Sequence, residues 1–107
     1  MNKTHDEILR KIRVELDLFY SSRTFARACL EISADNRRLA RTMPHGARQR
    51  RAALMIALKM LDEAEAAFDI CDECARRLGP LFDKLAGSEA AFERAIEVEL
   101  EESRSWA

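Results

Sequence analysis

Ile8, Ile12, Leu16 and Phe19 recur at steps of four, four and three, which is the period of one face of an α-helix. The stretch Thr4-His5-Asp6-Glu7 ahead of them has the form of a capping box. In that arrangement the Thr4 hydroxyl and the Glu7 carboxylate meet the first free amides of a helix. Phe25, Cys29, Ile32, Asn36 and Leu39 continue a similar face, interrupted only by the weakly helical Ser21-Ser22-Arg23-Thr24. The pattern predicts a first helix over about 4–42, read as one element with its weak point at 21–24. Pro44-His45-Gly46 ends it, because proline lacks an amide donor and pushes Met43 out of helical geometry.

The next pattern is the most regular in the chain. Leu54, Ala57, Leu61, Ala64, Phe68, Cys71, Ala75 and Leu78 alternate steps of three and four, the repeat of a helix packed lengthwise against another. This predicts a second helix over about 47–78, stopped by Gly79-Pro80. A parallel line of Ile56, Met60, Ala67, Ile70 and Cys74 widens the apolar face beyond what one neighbouring helix covers. Two readings of that second line stay open here: a further helix of the same chain, or a second protein. Ser88 is placed to cap a third helix over about 88–104, with Phe92, Ile96 and Leu100 four apart among many glutamates. Glu101 and Glu102 sit against the negative end of that helix, where they oppose it unless a basic surface covers them.

Composition agrees with an all-α chain. Only 3 glycines and 2 prolines leave few turns, too few for a β-sandwich or barrel. The expected architecture is therefore an antiparallel helical hairpin or three-helix bundle, one domain over 1–107, completed by homodimerisation. No stretch approaches the ~20 apolar residues of a membrane span and the N-terminus lacks an apolar signal-like run, so a cytoplasmic protein is expected. The odd number of cysteines fits a reducing compartment.

Net charge is −1, and it conceals a division. Residues 1–61 carry 13 Lys and Arg against 6 Asp and Glu, whereas residues 62–107 carry 5 against 13. Such asymmetry points to an electrostatic role.

The sequence offers three candidate chemistries. Cys71 and Cys74 have CxxC spacing, but Cys29, His5 and His45 are scattered singly and supply no second ligand pair for zinc. Asp69, Asp72 and Glu73 surround the two thiols with negative charge, which disfavours a reactive thiolate. The expectation is no metal and no cofactor, with Cys71 packed in a seam and Cys74 facing either the core or another chain. The run Arg37, Arg38, Arg41, Arg48, Arg50 and Arg51 suits phosphates or an acidic protein surface. No aromatic residue interleaves with it as a stacking platform, so charge pairing with protein is favoured over nucleic acid. Glycine-rich phosphate loops, GxSxG and HExxH are missing, and no enzyme is expected.

The functional expectation is a small non-enzymatic regulator acting by protein–protein binding, similar in working style to bacterial antiactivators that sequester a transcription regulator. The expected partner-binding residues are Ile56, Met60, Ile70 and Cys74, with Arg37, Arg38, Arg41, Arg48, Arg50 and Arg51 steering an acidic partner. Leu54, Leu61 and Phe68 would add anchors. The alternative is a nucleic-acid-binding module built on the Arg37–Arg51 cluster.

Overall fold

The computed structural model describes residues 3–105. It is all-helical, with two long helices that pack against each other: α1, Lys3–Arg41, and α2, Arg48–Ser105. The first helix agrees with its expected extent. Inside it, Ser21 donates to the Asp17 carbonyl and Thr24 to the Tyr20 carbonyl, so the hydroxyls that looked disruptive are satisfied within the helix.

The expected third helix is not a separate element. Gly79-Pro80 and Gly87 all lie inside α2, which continues through them. Only Gly46 takes a left-handed backbone, with φ of 83°, whereas Gly79 and Gly87 remain helical. Pro80 does forfeit one helical hydrogen bond. Apolar packing of its neighbours Leu78, Leu81 and Leu85 holds the helix across that gap.

The chain divides into two compact units, Asp17–Cys74 and the pair Met1–Leu16 with Ala75–Ala107. The first, the hairpin unit, contains the turn. There Ala47 N–H donates to the Pro44 carbonyl across Gly46, and Thr42 and Met43 tighten the end of α1 with bonds to Leu39 and Ala40. Arg50 donates from Nη1 to the carbonyls of Ala40 at 3.3 Å and Met43 at 3.2 Å, capping α1 from the start of α2.

The two helices of this unit run antiparallel, as shown by Ser33 Oγ donating to the Ala57 carbonyl at 2.9 Å and Cys71 Sγ to the Phe19 carbonyl at 3.4 Å. Every buried residue falls on one line of threes and fours per helix. On α1 these are Ser22, Ala26, Cys29, Ser33 and Ala40; on α2 they are Ala53, Ala57, Ala64, Ala67, Cys71 and Cys74. Nearly all are small, so large side chains do not separate the helices, and a hydroxyl on one reaches the backbone of the other.

This seam differs from the expected one. Ala57, Ala64 and Cys71 belong to it, but Leu54, Leu61, Phe68 and Ala75 do not: all four are exposed. The true companions are Ala53, Met60, Ala67 and Cys74, one position earlier in each heptad. One position is ~100° of rotation, enough to turn the larger side chains out of the seam. On α1 the same correction applies to Phe25, Ile32 and Leu39, which are exposed beside Ala26, Ser33 and Ala40.

The second unit, here the terminal unit, packs large residues instead. Ile8, Ile12 and Leu78 are buried together, with Leu16, Leu81 and Leu85 against them. No helix among the described residues is long and apolar enough to cross a membrane.

Candidate functional site

The hairpin unit's small seam decides what its surface looks like. With the narrow residues inside, the large apolar ones are left on the two flanks of the helix pair. One flank carries Leu18, Phe25, Ile32 and Leu39, each seven residues after the last, all on α1 and all between 42% and 51% exposed. Ile56 and Ile70 of α2 belong to the same flank, with Glu63 midway between them. A cleft of about 270 Å³ lies there, lined by Phe25, Ile70, Glu63, Ser21 and Ala66 with the seam residues Ser22 and Ala67 beneath. Antiparallel geometry puts Leu54, Leu61, Phe68 and Leu30 on the opposite flank, with Arg23 and Arg37. Apolar side chains at sevenfold spacing along a half-covered helix are what a further helix packs against.

The expected partner-binding residues separate accordingly. Ile56 and Ile70 are exposed on the flank, as an interface residue must be. Cys74 is fully buried in the seam, and Met60 packs against Ala26, Cys29, Ala64 and Ala67. The sequence leaves their line open between a helix of the same chain and a second protein, and both residues face α1, because the seam is turned by one position from the anticipated one. Cys74 therefore belongs to the core, and contact with another chain would require the pair to open.

The arginines also divide. Arg50 is committed to capping α1, and Arg38 pairs with Asp35 one turn away on the same helix. Arg37, Arg41, Arg48 and Arg51 are exposed around the turn. His45, also exposed, lies in the turn itself.

The cysteines form no metal cluster with other ligand-type side chains: no three His, Cys, Asp or Glu groups converge among the described residues. Cys29, Cys71 and Cys74 are all buried thiols, and Cys71 uses its proton on the Phe19 carbonyl. At these positions cysteine does the packing work of alanine with a slightly larger, polarisable side chain.

The terminal unit holds a feature that the linear pattern did not reveal. A groove of about 570 Å³ runs between its two helical segments, floored by Val14, Pro80 and Leu81. Five cations line it, Arg10 and Lys11 from α1 and Arg76, Arg77 and Lys84 from α2, with Glu15 the single carboxylate. Arg77 Nε donates to Glu15 Oε1 at 2.9 Å, while Glu15 Oε2 is buried with no hydrogen-bond partner. The pairs Arg10-Lys11 and Arg76-Arg77 are the available sequence signal, but only the antiparallel pairing brings them together, across more than sixty residues of chain.

No protein-family model matches the chain, and no curated protein or solved structure is detectably similar to it.

Proposed function

We propose that the protein is a small non-enzymatic regulator that works by binding another protein, with the Leu18–Phe25–Ile32–Leu39 flank of the hairpin unit as its docking surface. The observation that carries this reading is the row of four large apolar residues at sevenfold spacing, flanked by Ile56 and Ile70 and left exposed by a seam of small residues. An amphipathic helix of the partner would bed its apolar stripe on that row, in the groove mode of helix recognition. Arg41, Arg48 and Arg51 at the turn end favour a partner with acidic residues beyond its apolar stripe, whereas Arg37 lies on the opposite flank. Sequestering a helix that a transcription regulator needs elsewhere is the working style of bacterial antiactivators, and this surface suits it.

The test compares the intact chain with a Phe25→Asp, Ile32→Asp variant as bait in the source cell. Neither side chain lies in the seam, so circular dichroism should show unchanged helicity. The expected result is one or a few proteins retained by the intact chain and lost with the variant. Identical partners on both baits would sink this surface as the site.

A second reading, nucleic-acid binding, rests on the four exposed arginines around the turn. Phosphate contacts would give a steep salt dependence. Retention on heparin at low salt, abolished by Arg41→Ala with Arg48→Ala, would favour it; flow-through at low salt would remove it.

A further inference from the structure

We infer that a second copy of this chain docks its acidic C-terminal helical segment, residues 89–103, into the basic groove of the terminal unit. This goes beyond the partner surface proposed above, which lies in the hairpin unit, and each stands or fails separately.

The first observation is the segment itself. Stepping antiparallel from the Glu15–Arg77 pair brings Lys3 level with Glu89. Beyond Glu89, α2 has no described residue of α1 beside it, and residues 89–103 are exposed throughout. An exposed amphipathic segment forgoes the tertiary packing that supplies most helical stability. Yet it carries an apolar stripe, Phe92, Ile96 and Leu100, at 49%, 41% and 53% exposure. Six glutamates and one arginine surround that stripe. Glu101 stands near the negative end of the helix, where a nearby cation would relieve it.

The second observation is that the groove is complementary in both respects. Its floor is apolar and its rim is cationic, with five basic groups to one carboxylate. The segment cannot reach the groove of its own chain, because both lie on the same continuous helix. A second copy can reach it.

The third observation is that the arrangement closes. Pro80 and Ile96 are separated by ~24 Å along α2. Two α2 helices laid antiparallel about a twofold axis near Ser88 bring Ile96 of each copy level with Pro80 of the other. Glu97, Glu99 and Glu101 of the second copy then fall within one turn of Arg76 and Arg77, and Glu93 within one turn of Lys84. Both grooves are filled at once, giving a closed dimer and not an open filament.

The experiment is sedimentation equilibrium on the full-length protein and three variants. The chain mass is 12.3 kDa, so the wild type is expected at twice that value. Reversing the groove with Lys11→Glu and Lys84→Glu, or the segment with Glu93→Lys and Glu97→Lys, should each weaken dimerisation roughly tenfold or more. Combining all four substitutions in one chain should restore it to within a few-fold of wild type. That recovery would separate lost attraction from a folding defect, which circular dichroism on each variant also checks. Three results would overturn the inference: a monomer at every concentration, a dimer indifferent to either reversal, or a combined variant no tighter than the single-surface ones.

Discussion

The hairpin unit and the terminal unit share one spacing and fill it with opposite kinds of side chain. The hairpin unit buries alanine, serine and cysteine, and draws specificity from a cross-helix hydrogen bond, Ser33 to the Ala57 carbonyl. The terminal unit buries Ile8, Ile12 and Leu78 with three leucines around them, while carrying Pro80 and two glycines inside its longer helix. Small residues bring helices close but remove little apolar area from water, so their stability rests on contact density and on few errors of fit. Large residues bury more area each and tolerate a helix with a missing hydrogen bond. The functional surfaces follow the same division. Where the seam is narrow, large side chains stay outside and make an apolar flank. Where the core is large, the flank residues are basic and make a charged groove.

Four substitutions would break or sharpen that contrast. Ile12→Ala removes a buried branched side chain from the terminal core and should cost about 2–5 kcal/mol, measured by urea denaturation. Pro80→Ala should act in the opposite direction. Pro80 is exposed, and alanine restores the missing donor, so a gain of up to about 3 kcal/mol is expected in the same assay. No gain would mean that the helix is already locally adapted to the proline.

In the hairpin unit the size preference should invert. Ala64→Leu adds apolar bulk yet should destabilise by about 1–3 kcal/mol, because the seam has no room for it. A stabilising Ala64→Leu would show that the seam is loose and would undo the comparison. The smallest effect is expected from Ser33→Ala, about 1 kcal/mol for one buried hydrogen bond with almost no change in volume. A thermal melt followed by circular dichroism would resolve it.

Much of this was legible beforehand, and the errors share one cause. The heptad of Ala57, Ala64, Cys71 and Leu78 was read correctly, and the turn at Pro44-His45-Gly46 lies where expected. The structure differs in the second row of the seam. Leu54, Leu61 and Phe68 on one side of that heptad are more hydrophobic than Ala53, Met60 and Ala67 on the other. A ranking by hydrophobicity chooses the larger set, whereas close helix packing chooses the smaller. The same one-position turn puts Met60 and Cys74, whose line the sequence left open between a neighbouring helix and a second protein, against α1. The break expected at Gly79-Pro80 failed for a related reason: a local preference was overridden by Leu78, Leu81 and Leu85 packing across it.

Taken alone, the sequence determined the helical class, the position of the turn, the sevenfold repeat and the uneven charge, because each depends on neighbours within a few turns of chain. The tertiary structure decided which row of the repeat is buried, whether α2 continues past Pro80, and which cations meet across the helix pair. Those outcomes depend on residues far apart in the chain. Ser33 finds Ala57 and Glu15 finds Arg77 only after the helices have paired, and no local period encodes which side chains will leave the most room between them.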